Sequence, residues 1–400
     1  MLLPSTSTTL RGAAARQLGR RRLLHQQQQH ASIPQPPPIA FSFDIDGALL
    51  RGEHTIPAVK NAFKMLSGDN PWNAKIPFIL MTNGGGITED LRATVLSRQL
   101  DFPIRPDQLL QAHTVLKSLT TDAPPGESRA NDHVLVLGGL GDAVRTVAES
   151  YGFKNVHTPL DILAWNESIW PFHKISSAEH ATTKPKEFTN IPISSIFVFH
   201  DPRNWALDIQ IMCDVIRSYP NGLGGSYPAR GLAIDDNGRQ GNGVEKQGVQ
   251  LYFCNPDLLW KARYHVPRFG QGAFKEAFQA VFKAATGSNY PSTQFGKPHK
   301  ITYDYGARML QMQSEKLYGI ASNEANEPRI HERLTCAPLL PDNPESDIAG
   351  ANAAKWGSFL VETGVYDPSS GQRPAHEPTE IVTDVEAAVK RGIELVVRGS

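Results

Sequence analysis

A short, largely apolar run, Ile39-Ala-Phe-Ser-Phe43, leads directly into Asp44-Ile-Asp-Gly47, and this junction constrains the architecture more than any other part of the chain. A short apolar run with prolines before it and acids and a glycine after it reads as a buried parallel strand whose carboxyl end carries a functional loop. The pattern recurs. Pro77-Phe-Ile-Leu-Met81 ends in Thr82-Asn-Gly-Gly-Gly86, and Val134-Leu-Val-Leu137 ends in Gly138-Gly139, with helical patterns at Ala58 to Leu66 and Glu89 to Leu100 between them. Strand, polar loop and helix in repetition specify an α/β fold with a doubly wound parallel sheet, in which ligands sit beyond the carboxyl ends of the strands. The three loops are therefore expected on one rim. Gly138 to Gly141 lacks the full dinucleotide fingerprint and reads as helix packing.

At 400 residues the chain exceeds what one hydrophobic core usually serves, so a second domain is expected. From about Pro159 the texture changes, with Trp165, Trp170, Trp205 and Trp260, many prolines, and strand candidates at Ile196 to Phe199 and Leu251 to Cys254. A helical run from Gly272 to Ala285 and a turn-rich stretch, Thr286-Gly-Ser-Asn-Tyr-Pro291, close that module. Strand-loop-helix logic then returns through Gly296-Lys-Pro298 and Ser358-Phe-Leu-Val361. The expected division is a tail at 1–38, a first part of the core at 39–158, an inserted α/β cap at 159–290 and a second part of the core at 291–400.

Forty basic and forty acidic residues cancel, which argues against a nucleic-acid partner. The five arginines Arg11, Arg16, Arg20, Arg21 and Arg22 precede Asp44 with no acid among them, leaving 35 basic against 40 acidic residues beyond. That acid-free start, bearing Ser, Thr and Leu, has the makeup of a mitochondrial transit peptide, and a mitochondrial matrix location is expected. The alternative is a low-complexity tail, since Gln26 to Gln29 and Pro36 to Pro38 could not build a core. Cys213, Cys254 and Cys336 are too few and too scattered for a disulfide framework or a zinc site. No run of eighteen apolar residues is present, so no membrane-spanning helix is expected. Homo-oligomerisation stays open.

Asp44 and Asp46, one residue apart at a strand end, would share a face of an extended backbone. Two carboxylates that close are costly unless a cation or a shared proton relieves them. The same spacing also suits a turn with acids as helix caps. Thr82, with Gly84 to Gly86 behind it, offers a hydroxyl and backbone N–H groups to an anion, although a plain glycine-rich turn would look alike. Lys297, between Gly296 and Pro298, could bring a compact charge to a phosphoryl oxygen, where most lysines simply face solvent. Asp342-Asn-Pro-Glu-Ser-Asp347 sets acids five residues apart at another strand-to-helix junction, to complete an oxygen-rich metal shell or to cap a helix at Ser346. In the cap, Asp201, Arg203, Asn255 and Asp257 sit at the ends of the two best strands, as substrate contacts or as turn residues. Trp205 and Trp260 fit cap core better than a substrate platform.

Taken in order, these four pieces resemble motifs one to four of the haloacid dehalogenase superfamily, in its class IIA with a C2-type cap between motifs two and three. More narrowly, Asp44-Ile-Asp-Gly-Ala-Leu-Leu-Arg-Gly52, Thr82 to Gly86, Asp201-Pro-Arg203, Asn255-Pro-Asp-Leu-Leu-Trp260, Arg268-Phe-Gly-Gln-Gly272, Gly296-Lys-Pro298 and Asp342 to Ile348 resemble the mitochondrial family named for the cat eye syndrome critical region. The likeness runs from about Pro38 to Tyr366. It implies a magnesium-dependent phosphohydrolase for a small phosphorylated metabolite, glycerophospholipid-related compounds included. Asp44 would be the nucleophile, Asp46 the acid and base, and Thr82 and Lys297 the holders of the phosphoryl oxygens. Asn83, Gly84, Asn255 and Asp257 would contact the phosphate or substrate. Asp44, Asp46, through its carbonyl, Asp342 and Asp347 would serve the metal, the last by orienting Lys297 or a metal-bound water. Asp46 also favours phosphate esters over carbon–halogen bonds, because an alkoxide needs a proton and a halide does not.

The pattern breaks at its fourth motif, where Pro341 stands in place of the glycine that normally precedes Asp342. Ile330 to Pro341 is expected to make a poor central strand, since Pro338 and Pro341 lack an N–H for the ladder. Either this stretch has diverged and weakened the metal site, or it is mistranslated sequence such as a retained intron. A rival to the enzyme follows from the same break: a binding or scaffold protein that keeps the fold without metal affinity.

Overall fold

The structure, a computed structural model, describes residues 36–223, 248–260, 264–319, 332–338, 344–363 and 376–399. The proposed transit segment, apart from its last three residues, lies outside these residues, as do Ile330, Pro341 and Asp342.

Two parallel sheets carry the architecture. The first contains six strands, β1 (Ile39–Phe43), β4 (Phe78–Thr82), β5 (Leu109–Gln111), β13 (Glu332–Pro338), β14 (Gly357–Val361) and β15 (Glu380–Val382), in the spatial order β15-β14-β13-β1-β4-β5. From β1 the chain builds outward through β4 and β5, then returns to the other side of β1 through β13, β14 and β15. The switch point therefore falls between β1 and β13, and Asp44 leaves β1 there, where a doubly wound sheet opens its ligand crevice.

Period-two alternation divides the side chains of each buried strand between two cores. Ile39, Phe41 and Phe43 point to one side with Phe78 and Leu80, under the helices α1 (Val59–Ser67), α2 (Glu89–Leu100) and α10 (Val385–Gly399). Ala40, Ile79 and Met81 face the other side, against Tyr303 and Leu310 of helix α8 (Lys300–Tyr318).

The second sheet has the order β12-β9-β8-β6-β7, built from β6 (His133–Leu137), β7 (Asn155–His157), β8 (Ile193–Val198), β9 (Gln250–Phe253) and β12 (Thr293–Gln294). Val134 to Leu137, expected as a third strand of the first sheet, thus belongs to the second. A wholly apolar strand looks the same in either sheet, so the sequence could not separate them. Val134 and Val136 join the core shared with the first sheet, whereas Leu135 and Leu137 face a separate core with α4 (Pro159–Trp165), α6 (Trp205–Ser218) and α7 (Gln271–Thr286). Trp205 packs on that third core, as expected. Trp260 is 43% exposed on the two-residue strand β10 (Leu259–Trp260), so it is not core.

The expectation of a poor strand before Asp342 also needs correction. Glu332–Pro338 lies between β1 and β14, with Ile39 to Phe43 opposite Glu332 to Cys336 and Gly357 to Val361 opposite Leu334 to Pro338. Pro338 is accommodated because β1 ends opposite Cys336, so the proline borders only β14. Among the described residues no helix is long and apolar enough to cross a membrane.

Candidate active site

Lys297 gathers the site. Its ammonium donates to Asp44 Oδ1 at 2.7 Å, to Asp347 Oδ2 at 2.9 Å and to the carbonyl of Met81 at 3.3 Å. Four segments distant in sequence are tied in this way: the end of β1, the end of β4, the loop after β12 and helix α9 (Pro344–Ala353). Lys297 is 3% exposed, and burial alone would favour the neutral amine. Asp347 and Asp44 more than offset that, and its pKa is raised.

The loop that aims Lys297 is glycine-dependent. Gly296 has φ +90°, and a Cβ there would lie 2.6 Å from the Cys254 carbonyl oxygen and 2.7 Å from Pro256 Cδ. The Gly296 amide donates to Thr302 Oγ1 at 3.0 Å, which fastens the loop to the first turn of α8. Asn83 then clamps Lys297 from the other sheet. Its Oδ1 accepts from the Lys297 amide at 2.7 Å and its Nδ2 donates to the Lys297 carbonyl at 3.1 Å. The same Nδ2 reaches both carboxylate oxygens of Asp257 at 3.2 Å. Asn83 and Asp257, read as phosphate or substrate contacts, thus also join the first sheet to the loop after β9.

Asn255 is engaged in a turn, its Oδ1 accepting from the Asp257 amide at 2.8 Å. Thr82 Oγ1 accepts from the Gly84 amide at 3.0 Å, winding the glycine loop back over the end of β4. Asp46 keeps access to solvent, yet the protein packed round it, and after that the Asp44 charge, raise its pKa against the opposing pull of Arg92 and Lys297. The two carboxylates are close enough to interact, as the one-residue spacing predicts.

Asp347 is buried, and that burial raises its pKa while Lys297 lowers it. Its Oδ1 has no hydrogen-bond partner among the described residues. A buried carboxylate oxygen left unmatched beside a lysine and a second carboxylate suits an oxygen-liganded cation or a water bound to one. Among the described residues no group of three or more His, Cys, Asp or Glu is gathered as a metal centre, and Asp342, expected to supply a ligand, lies outside them.

Sequence reasoning missed Tyr303. Its buried hydroxyl donates to the Asp347 carbonyl at 3.0 Å, and its ring stands where a Cβ on Gly350 would be, 2.2 Å away. The conjunction of Gly350 with a helix-borne tyrosine six residues after Lys297 was the only available signal. Of the other cap candidates, Asp201 Oδ1 is buried without a partner among the described residues, and Arg203 borders a 280 Å³ cavity with Gly138 to Gly141. Gly138 has φ +101° and would place a Cβ 2.0 Å from the His200 carbonyl oxygen, so it serves the close approach of the loop that follows β8.

Residues 41–154 match a family model described as haloacid dehalogenase-like hydrolase, and residues 294–388 match a HAD-hydrolase-like model. The chain is 36% identical over 366 residues to a Saccharomyces cerevisiae protein named a mitochondrial hydrolase, covering 89% of this chain and 96% of that one. It is also 36% identical over 355 residues to a Schizosaccharomyces pombe cardiolipin synthase (CMP-forming) / mitochondrial hydrolase fusion protein. That match covers 88% of this chain but 53% of the fusion, so the chain spans about half of that relative's length. Among solved structures, 4-nitrophenylphosphatase from Thermotoga maritima shares the fold with a TM-score of 0.53 at 15% identity, over 88% of this chain and 97% of that one.

Proposed function

We propose, from the premise that the chain belongs to the haloacid dehalogenase-like hydrolase family and is a hydrolase, that it cleaves phosphate monoesters through an aspartyl-phosphate on Asp44. Its support is the Asp44–Lys297–Asp347 set at the switch point of the first sheet, with Lys297 and Asp347 buried and Asp44 partly open to solvent. Lys297 holds one oxygen of Asp44 and leaves the other for in-line attack on phosphorus. Asp46, with its raised pKa and open side, protonates the leaving alkoxide and then takes a proton from the water that hydrolyses the acyl phosphate. Thr82, Gly84 and the Lys297 ammonium receive the phosphoryl oxygens.

Magnesium would be held by Asp44, the Asp46 carbonyl and Asp342, with Asp347 behind them, and when bound it would offset charge between the carboxylate nucleophile and the phosphate dianion. The unmatched Asp347 Oδ1 supports that assignment from the protein side. The second sheet, whose strands run from His133 to Gln294, is read as the cap that closes over the site and excludes water. A small phosphorylated metabolite suits such a cap. A glycerophospholipid-related ester is supported by the name of the fission yeast fusion relative, and a mitochondrial location by the names of both yeast relatives and the acid-free, Arg-bearing start.

Phosphate release from an aryl phosphate, with and without magnesium, tests the reading. The native chain is expected to be active only with the metal, and Asp44→Asn to lose roughly three orders of magnitude or more. Activity retained by Asp44→Asn, or none in the native chain with magnesium, rejects it.

A further inference from the structure

Three consecutive glycines follow Thr82 and Asn83, and two histidines account for two of them. A Cβ on Gly85 would lie 2.6 Å from His113 Cδ2, and one on Gly86, at φ +90°, would lie 2.5 Å from His200 Cδ2. The loop is pressed between the ring of His113, which follows β5, and that of His200, which follows β8. His113 also bonds the loop. The Gly86 amide donates to its Nε2 at 3.0 Å.

That bond determines the tautomer. Nε2 accepts, so the ring proton resides on Nδ1, which faces the Tyr151 hydroxyl at 2.7 Å. Tyr151 in turn donates to Glu89 Oε1 at 2.6 Å, and Thr114 Oγ1 donates to the same oxygen at 2.7 Å. An ionised carboxylate can only accept, so the direction of the relay is set from Glu89: Tyr151 gives its proton to Glu89, and its oxygen takes the Nδ1 proton. Burial works against the Glu89 carboxylate, but His113, Lys117 and the bonds from Tyr151 and Thr114 keep its pKa low. His113 is 0% exposed. Its burial, with His200 and Lys117 adding to the effect and Glu89 opposing it, brings its pKa down to about 4, so the ring is neutral near pH 7.

The mechanism above uses none of these three groups. A buried polar chain of this kind is costly to maintain unless every member is matched, and here each is matched in the one direction that leaves Nε2 open toward Gly86. We propose that His113 is a positioning residue for the phosphate-binding loop, holding Gly84 to Gly86 through the Gly86 amide, with Tyr151 and Glu89 enforcing the tautomer that can do so. The proposal rests on the phosphohydrolase reading for what the loop binds, but not for how the loop is held.

Its test therefore has two arms, applied to the full chain as His113→Leu, His113→Gln, Tyr151→Phe and the double variant His113→Gln/Tyr151→Phe. Inorganic phosphate is the probe in the first, read as competition against an aryl phosphate below the unfolding temperature. His113→Leu is expected to weaken phosphate about tenfold, and His113→Gln, whose amide oxygen can accept from Gly86, to recover most of that. Tyr151→Phe should weaken phosphate in the native background but add little to His113→Gln, because an amide has no second tautomer. Hydrogen exchange of the segment containing Gly86 is the second arm. Exchange should speed up in His113→Leu and stay slow in His113→Gln. Exchange unchanged in His113→Leu, or His113→Gln as impaired as His113→Leu in both arms, overturns the proposal. A native chain that neither binds phosphate nor releases it rejects the phosphohydrolase reading instead, and the exchange arm alone then decides whether His113 fixes the loop.

Discussion

Lys297 is a buried cation held between two carboxylates, Asp44 and Asp347. Removing one member of such a set leaves the rest without compensation, which is far costlier than never having buried them. Lys297→Met is therefore expected to lower stability by about 3–5 kcal/mol in urea or thermal unfolding. Adding Asp347→Asn to it should restore part of the loss, since the amide removes the stranded charge. An additive or worse double variant would contradict the coupling. Asp44, Thr82 and Lys297 were legible in the sequence because each sits where an apolar or glycine-bounded segment stops, and a strand end advertises itself. His113, Tyr151, Glu89 and Tyr303 were not. Their partners come from separate elements, and no local spacing records a hydrogen bond between residues dozens of positions apart.

At the scale of elements, the two sheets meet at the site through loops rather than through strands. Asn83 at the end of β4 holds both Lys297 after β12 and Asp257 after β9. Asp257→Ala should release that clamp without touching Asp44. The expected result is a rise of roughly tenfold in KM for an aryl phosphate, with kcat changed less. An equal fall in kcat with KM unchanged would place Asp257 in the chemical step instead. The sequence pattern over Glu89 to Leu100 coincides with the observed helix, whose ends are fixed by Thr88, accepting from the Leu91 amide, and by the left-handed turn at Asp101. Sheet membership was not readable for Val134 to Leu137, nor strand character for Glu332–Pro338. Apolarity reports burial without naming the neighbour, and a proline is tolerated wherever the adjoining strand has already ended.

For the whole molecule, buried titratable groups give stability a definite dependence on pH. His113 carries a folded pKa of about 4 against an unfolded value near 6.5. The unfolded chain binds the proton first, so this contribution is full above pH 6.5 and is lost as pH falls toward 4. Asp208, buried and raised to about 7, acts in the opposite sense, losing its contribution as pH rises from about 4 to 7. Comparing His113→Gln with the native chain isolates the histidine: the variant's unfolding midpoint should fall less steeply between pH 6.5 and 4, and parallel profiles would contradict the assignment. In the proposed reaction, the Asp44–Lys297–Asp347 set passes the phosphoryl group through Asp44. The most direct measurement is acid quenching of the native chain with magnesium and an aryl phosphate during turnover, followed by mass spectrometry of the peptide spanning Asp44. One phosphoryl group is expected on Asp44, accumulating further in Asp46→Asn and absent from Asp44→Asn, whereas turnover with no phosphoryl group on that peptide in either the native chain or Asp46→Asn would contradict a covalent intermediate on Asp44.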